Sequence, residues 1–216
     1  MQIAIVLYPG FTSLDVVGPY SVLAGLPGAE IVFVSEEPGL VLNDLGSLSI
    51  NAVASLDDVP SPDIVLIGGG PGQSDQMHDG PLREWLRAVD RTSTWTTSAC
   101  TGALILAGAG LLDGRRATTH WIARDQLAAL GATPSTDRVV IDGKYATAAG
   151  VSAGIDLALT LAGILAGEEV AQTIQLLHEY APEPPYDAGS LESAPDSVVA
   201  MASDMLSGRR ETLTDS

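Results

Sequence analysis

The single cysteine of this sequence, Cys100, is its best candidate for a nucleophile. It follows a β-branched run at residues 94–98 and precedes a small, apolar, helix-forming run at 101–106. This change of pattern predicts a sharp turn from a strand into a helix. The thiol would then face the free N–H groups of the helix N-terminus, which favour thiolate. A lone cysteine is also commonly a small buried hydrophobe, so the surrounding motifs must decide between the two interpretations.

Asp15 is the candidate acid and base. It stands between Leu14 and Val16 at the start of an apolar helical run. Apolar neighbours raise the pKa of a carboxyl, which would let this group exchange protons with the thiol near neutral pH. The alternative is a helix-capping carboxylate, a role that Thr12 or Ser13 could fill equally well.

A glycine-rich loop, Gly-Gly-Gly-Pro-Gly, occupies positions 68–72 after the third predicted strand. The backbone N–H groups of Gly69 and Gly70 could approach a ligand without side-chain obstruction and stabilise developing negative charge. The loop lacks the residues of a phosphate loop and the spacing of a dinucleotide fingerprint. Such loops are often only flexible connections. Its position one strand away from Cys100 makes it a candidate oxyanion pocket, together with the N–H group of Thr101.

The three histidines are scattered along the chain and do not have the spacing of a metal site. We therefore expect no metal and no other cofactor. His120 ends a predicted strand, where we expect a hydrogen-bonded wall of the pocket rather than a second acid or base. His78 and His178 are interpreted as structural or surface residues.

The elements that must position these residues form a repeating β-α-β pattern. Short, continuous apolar runs at 3–7, 31–34 and 64–67 predict parallel strands buried on both faces. The segments that follow such strands converge on one crevice beyond the carboxyl ends of the strands. The fold class is therefore α/β, a sandwich with a mostly parallel central sheet, and a small hairpin is expected at 41–50.

We expect one domain over residues 1–195, followed over 196–216 by a C-terminal helix, near 198–206, and a frayed acidic tail.

The formal net charge is −17, so the basic surface that nucleic-acid binding requires is missing and no such partner is expected. Neither a signal peptide nor a long apolar span is visible, which predicts a cytoplasmic protein with no membrane partner. One cysteine excludes an internal disulfide and fits a reducing compartment.

Several motifs together resemble the ThiJ/PfpI superfamily, whose class I glutamine amidotransferase-like fold is a flavodoxin-like α/β sandwich with a nucleophile elbow. They are the glycine-rich loop, the elbow at 98–102, the stretch at 110–121 and the segment at 154–156. Within the superfamily, residues 14–19, the Cys-Thr-Gly of the elbow and the closing segment at 179–190 are most similar to the isocyanide hydratases.

This resemblance covers residues 1 to about 195 and implies an enzyme that converts an isocyanide to an N-substituted formamide. Cys100 would add to the isocyanide carbon to give a thioimidate, Asp15 would act first as acid and then as base, and Thr101 would support the chemistry at the elbow. The substrate would be a small neutral molecule, and a homodimer is implied. Candidate residues for the pocket walls are Phe11, His120, Trp121 and Tyr186.

Two departures narrow the choice within the superfamily. Its proteases carry histidine directly after the cysteine, where this chain has Thr101, and its deglycases carry glutamate in place of Asp15. Two alternatives stay open: a non-catalytic binding or redox-sensing protein, and another cysteine enzyme such as a glyoxalase, deglycase or amidase. Some AraC-type regulators share most of the motifs, but a regulator would carry a basic C-terminal DNA-binding domain, and from the acidic composition up to Ser216 we do not expect one.

Overall fold

A computed structural model describes residues 1–214 of the chain. The strands in this range are β1 (Gln2–Val6), β2 (Glu30–Ser35), β3 (Gly39–Leu42), β4 (Ser49–Ala52), β5 (Ala54–Ser55), β6 (Ile64–Ile67), β7 (Trp95–Ala99), β8 (Arg116–Ala117), β9 (Thr133–Pro134), β10 (Val139–Asp142) and β11 (Tyr145–Ala148). The helices are α1 (Ser13–Leu23), α2 (Gln73–Gln76), α3 (Pro81–Val89), α4 (Gly102–Gly108), α5 (Arg124–Ala129), α6 (Ala153–Ala166), α7 (Glu168–Leu177) and α8 (Asp196–Thr214). A 3-10 turn at Trp121–Ala123 precedes α5.

Seven strands form the central sheet in the order β10-β11-β7-β6-β1-β2-β5. All neighbours pair in parallel except β10 and β11, which form an antiparallel hairpin at one edge. β6 is buried along its whole length, as continuous apolar strands covered on both faces require. The prediction of an α/β sandwich with a mostly parallel sheet is confirmed.

The helices pack in two groups around this sheet. α6 packs against both α1 and α7, while α4 packs against α3 and α5. Among the described residues, no helix has both the length and the apolar character that crossing a membrane would require. The predicted hairpin is present as the antiparallel pair β3–β4, in a small sheet of its own.

The strand order brings the candidate segments together. From β1 the chain continues to β2 on one side of the sheet and later to β6 on the other, so the topological switch point lies between β1 and β6. Loops diverge at such a point and leave a crevice at the carboxyl ends of the strands. The segments that follow β1, β6 and β7 carry Asp15 at the start of α1, the glycine-rich loop and Cys100, and all three lie at this crevice.

The chain divides into two compact units. Met1–His178 forms the first unit, and the second begins at Glu179. The domain boundary predicted at residue 195 therefore lies within the second unit. Its helix α8 continues to Thr214, further than the sequence pattern predicted, because good helix formers such as Arg, Glu and Leu follow residue 206. Residues 215 and 216 of the predicted tail lie outside the described residues.

Candidate active site

Cys100 lies at the turn between β7 and α4. Its φ of 56° is in the left-handed region that residues other than glycine rarely adopt. Three hydrogen bonds hold the turn: the Cys100 N–H group donates to the carbonyls of Ala148 (3.1 Å) and Ala149 (2.9 Å), and Thr119 Oγ1 donates to the Cys100 carbonyl (2.9 Å). The predicted sharp turn from strand to helix is confirmed, and its strained backbone is that of a nucleophile elbow.

Two glycines allow the elbow and the glycine-rich loop to approach each other. A Cβ at Gly102 would overlap the carbonyl oxygen of Ile67 in β6, and a Cβ at Gly69 would overlap the N–H group of Thr101. Both obstacles are backbone atoms, which cannot move aside as a flexible side chain can. Glycine at these positions is therefore required by close packing of the two segments.

Gly102→Ala is expected to lower the free energy of unfolding by about 2 kcal/mol or more, because the added methyl group would push α4 away from β6. Urea unfolding measures the change. Gly163→Ala in α6 is the matched control, since its Cβ would meet no described atom closer than 3.8 Å. It is expected to be neutral or to stabilise by up to about 1 kcal/mol. Similar stability of the two variants would contradict the packing argument.

Asp15 lies in the first turn of α1 and is fully buried. Its Oδ2 accepts a hydrogen bond from the N–H group of Gly69 at 2.9 Å, and its buried Oδ1 has no conventional hydrogen-bond partner among the described residues. The carboxyl is therefore directed at the glycine-rich loop and does not cap its own helix. The capping interpretation of Asp15 is wrong.

The environment of Asp15 suits proton transfer at neutral pH. Burial is the main cause that raises the pKa of its carboxyl to about 7, and the charge of Asp44 raises the pKa further. The Gly69 N–H group and an interaction with the Cys100 thiol act in the opposite direction. A carboxyl with this pKa can both accept and donate a proton under physiological conditions.

The Cys100 thiol is held in its protonated form when the site is at rest. Burial, and then the negative charge of Asp15, raise the pKa of this thiol well above its ordinary value. The N–H groups of Val151 and Thr101 hydrogen-bond to the sulfur and lower the pKa, but by less. The expectation that the helix N-terminus would favour thiolate is therefore wrong in its net direction. Asp15 and Cys100 form a coupled pair that titrates together.

The N–H groups of Gly69 and Gly70, which were predicted to face a ligand, donate hydrogen bonds to side chains of the protein instead. Gly69 donates to Asp15, and Gly70 donates to Thr101 Oγ1 at 3.0 Å. Rather than forming a free oxyanion pocket, they fix the acid and the elbow in place. The donors at the Cys100 sulfur are instead the N–H groups of Thr101 and Val151. Val151 was not predicted, because a backbone donor far along the chain leaves no signal in the side chains.

The four predicted wall residues lie in different settings. The side chain of Phe11 is completely buried in the core, so its ring cannot line a pocket and this assignment is corrected. The His120 ring lies against Gly150, the residue before Val151, and its centroid is 5.4 Å from that of Trp121. Tyr186 belongs to the second unit, where its side chain is 81% exposed, and its role stays a prediction.

Tyr8 belongs to the electrostatic surroundings of the pair, although its side chain was not singled out from the sequence. Its hydroxyl donates to the carbonyl of Gly68 at 2.8 Å, and burial, followed by the charges of Asp15, Cys100 and Asp44, raises the pKa of this phenol. A cavity of about 540 Å³ opens beside Tyr8, but its lining among the described residues does not include Cys100. This cavity is distinct from the Asp15–Cys100 pair.

The arrangement offers a nucleophile and an acid/base. Among the side chains that the structure describes, residues 1–206, no three His, Cys, Asp or Glu side chains are grouped to hold a metal ion. The strained elbow, the buried Asp15–Cys100 pair and the glycine-rich loop occur together at one switch point. In the comparison with known protein families, residues 1–163, which contain all of these features, match the DJ-1/PfpI family. The chain belongs to the DJ-1/PfpI family.

Curated relatives within the family include enzymes and regulators. The chain is 44% identical over 199 residues to the isonitrile hydratase of Pseudomonas putida, which covers 92% of this chain and 87% of that protein. It is 35% identical over 140 residues to the transcriptional regulator CdhR of Pseudomonas aeruginosa, but this match covers 64% of the chain and only 41% of the regulator. The similarity to the hydratase extends over nearly the whole of both proteins.

Solved structures of the DJ-1/PfpI family share this fold. A ThiJ/PfpI family protein from Pseudomonas syringae matches with a TM-score of 0.92 at 36% identity, over 97% of this chain and 87% of that one. DJ-1beta of Drosophila melanogaster matches with a TM-score of 0.76 at 22% identity, over 84% and 98% of the two chains, which establishes the fold alone. The resemblance to the ThiJ/PfpI superfamily is confirmed.

Proposed function

We propose that this DJ-1/PfpI family member is an isocyanide hydratase, which adds water to a small neutral isocyanide and releases an N-substituted formamide. The observation that carries the proposal is the buried Asp15–Cys100 pair, in a chain that is similar along its length to an isonitrile hydratase. The terminal carbon of an isocyanide accepts both a nucleophile and a proton. A thiol and a carboxyl that share protons can supply both.

In the first step the Cys100 sulfur attacks the terminal carbon of R–NC. The thiol proton passes to Asp15, which delivers it to the same carbon, so the product is the thioimidate R–N=CH–S–Cys100. One proton on the pair is enough for this step. The N–H groups of Thr101 and Val151 stabilise negative charge on the sulfur as it attacks and again as it leaves.

In the second step water adds to the thioimidate carbon. Asp15, now ionised, takes a proton from the water and passes it to the nitrogen, which gives R–NH–CH(OH)–S–Cys100. Asp15 then accepts the hydroxyl proton while the C–S bond breaks, and R–NH–CHO leaves. The pair again holds one proton. No external oxidant or reductant enters this cycle.

We expect kcat/KM to fall towards acid pH, and the midpoint of this acid limb should lie near pH 7, because the pKa of Asp15 is raised to about 7 from the ordinary 3.8. Below that pH both groups are protonated and no base is available, so kcat/KM should fall about tenfold per pH unit. At alkaline pH the thiol also ionises and no proton remains for the substrate. The measurement is kcat/KM against pH, with acid-catalysed isocyanide hydrolysis subtracted by means of Cys100→Ala. An acid limb near the ordinary aspartate pKa would contradict the assignment.

The function is tested by following the ultraviolet spectrum of an aromatic isocyanide as the protein converts it to the formamide. Saturable turnover is expected, with methylglyoxal left untouched. Turnover of methylglyoxal alone would favour the glyoxalase or deglycase alternative. If neither compound reacts, the enzyme proposal fails, and a binding or redox-sensing protein is the better description.

We also propose that the protein is a cytoplasmic homodimer without nucleic-acid or membrane partners. Asn43 Nδ2 donates to Ser13 Oγ at 3.0 Å, so the β3–β4 hairpin lies beside the start of α1. Large apolar side chains on these two elements are exposed, and a second copy of the chain would cover them. They are Leu14, Val17, Leu42, Leu45 and Leu48. The molar mass in solution tests this proposal, and the mass of a single chain would contradict it.

A further inference from the structure

Asp44 lies next to the site, and the reaction described above gives it no role. It follows β3 at the tip of the β3–β4 hairpin and is half-buried. Its Oδ2 accepts a hydrogen bond from Thr12 Oγ1 at 3.1 Å, and its N–H group donates to the carbonyl of Phe11 at 2.9 Å. Both partners belong to the short segment that leads from β1 into α1, so Asp44 is attached to the segment that carries Asp15.

Further hydrogen bonds make this attachment rigid. The Gly10 N–H group donates to the carbonyl of Leu42 at 3.0 Å, and Asn43 Nδ2 donates to Ser13 Oγ at 3.0 Å. The hairpin tip thus holds the segment at residues 10–13 along its length. A carboxylate with backbone and side-chain anchors keeps its charge at one place, unlike a freely rotating surface aspartate.

The same segment continues directly to the acid. The Thr12 N–H group donates to the carbonyl of Gly69 at 2.8 Å, and the Gly69 N–H group donates to Asp15 Oδ2 at 2.9 Å. Thr12 therefore bonds to Asp44 through its side chain and to the glycine-rich loop through its backbone. The position of Asp15 relative to that loop depends on the segment that Asp44 anchors.

Asp44 also acts on the site through its charge. Its carboxylate raises the pKa of both Asp15 and Tyr8. The other ionisable group that acts on Asp15 is Cys100, and those that act on Tyr8 are Asp15 and Cys100. Cys100 lowers the pKa of Asp15 through its hydrogen bond, so the charge of Asp44 adds to the effect of burial, which is the main cause that favours protonation of Asp15.

We propose that Asp44 is a positioning residue for the Asp15–Cys100 pair: from the hairpin tip it anchors the segment that carries Asp15 and holds a fixed negative charge near the pair. The inference rests on the proposed function for its kinetic readout. The structural part of the inference, the fixed negative charge of Asp44 near the buried Asp15, does not depend on the identity of the substrate.

The test compares the pH dependence of kcat/KM in wild type, Asp44→Asn and Asp44→Glu. Asp44→Asn keeps an oxygen that can accept from Thr12 but removes the charge, so the acid limb should move down by up to about one pH unit. Asp44→Glu should return the limb towards its wild-type position. Asp57→Asn is the matched control, because it removes an exposed carboxylate that does not shift the pKa of Asp15, and its limb should stay in place.

A second readout separates failure of this inference from failure of the proposed function. Cys100 is the only cysteine, and its thiol proton must pass to Asp15 as iodoacetamide alkylates the sulfur. The fall of the alkylation rate at acid pH therefore reports the ionisation of Asp15 without any isocyanide. The inflection of the alkylation rate with pH should also move down in Asp44→Asn. A lower inflection pH in Asp44→Asn than in wild type supports the inference, even if neither protein turns over an isocyanide. An unchanged inflection in the folded variant, or an equal shift in Asp57→Asn, overturns it.

Discussion

Cys100→Ala is expected to abolish formamide formation, with a loss of at least about 10⁴-fold in kcat/KM, because no other group in the site can form the thioimidate. Cys100→Ser should be nearly as inactive, since the pKa of a serine hydroxyl is too high for Asp15 to deprotonate it. Initial rates with an aromatic isocyanide measure both losses, and mass spectrometry should detect no adduct on either variant.

The control for these variants is their stability. Alanine and serine keep the Cβ atom and the left-handed backbone of the elbow, so the strain at residue 100 is unchanged. The thermal midpoint should therefore stay close to that of wild type. Retention of a tenth or more of the wild-type rate by folded Cys100→Ala would contradict the role of the thiol as nucleophile.

Asp15→Asn is expected to lower kcat by about 10²–10⁴-fold with a smaller change in KM. The amide oxygen can still accept from the Gly69 N–H group, so the geometry of the loop is retained while proton transfer is lost. Steady-state kinetics with the same isocyanide gives both constants. If KM rose and kcat were unchanged, Asp15 would be a binding residue and not the acid and base.

The same variant should differ from wild type in how its stability depends on pH. The pKa of Asp15 is about 7 when folded and near 3.8 when unfolded, so folding takes up a proton between these values. Stability contributed by the protonated carboxyl is fully present below about pH 4 and is lost as the pH rises through about 7. Asp15→Asn should therefore gain a few kcal/mol relative to wild type between pH 4 and pH 8. Parallel stability curves for the two proteins would contradict the burial argument.

The local sequence pattern was sufficient to place Cys100 at a sharp turn and Asp15 at the start of a buried helix. A β-branched strand followed by small helix-forming residues predicted the turn at Cys100. The expectation that segments following parallel strands converge on one crevice then placed the start of the Asp15 helix near the same turn. Both inferences depend on the sequence close to each residue and on a general property of parallel sheets. The α/β architecture was predictable for the same reason, because the alternation of apolar runs and helical patterns is itself a local signal.

Features that depend on distant parts of the chain were not predictable in this way. Val151 acts through its backbone N–H group, which any residue type would supply. Asp44 reaches the site because a hairpin folds over the β1–α1 segment, and no local pattern encodes that contact. The sequence suggested that Phe11 lines the pocket. A backbone β-bridge to Asn43 instead holds Phe11 where its ring is buried in the core.

The net pKa of Cys100 also depends on the three-dimensional structure. The helix N-terminus and the N–H donors were expected to favour thiolate, but burial and the charge of Asp15 are larger effects. Their relative size follows from how deeply the side chain lies, which the sequence alone does not give. The consequence is a thiol that stays protonated near neutral pH until its proton moves to Asp15.

Turnover of an aromatic isocyanide in H₂¹⁸O, with product and protein analysed by mass spectrometry, tests the central claim most directly. The account predicts a formamide that carries one ¹⁸O atom in its formyl group from wild type, a transient adduct of one isocyanide on Cys100, and neither species from Cys100→Ala. The formation of labelled formamide by folded Cys100→Ala at the wild-type rate, or the absence of product from wild type, would contradict it.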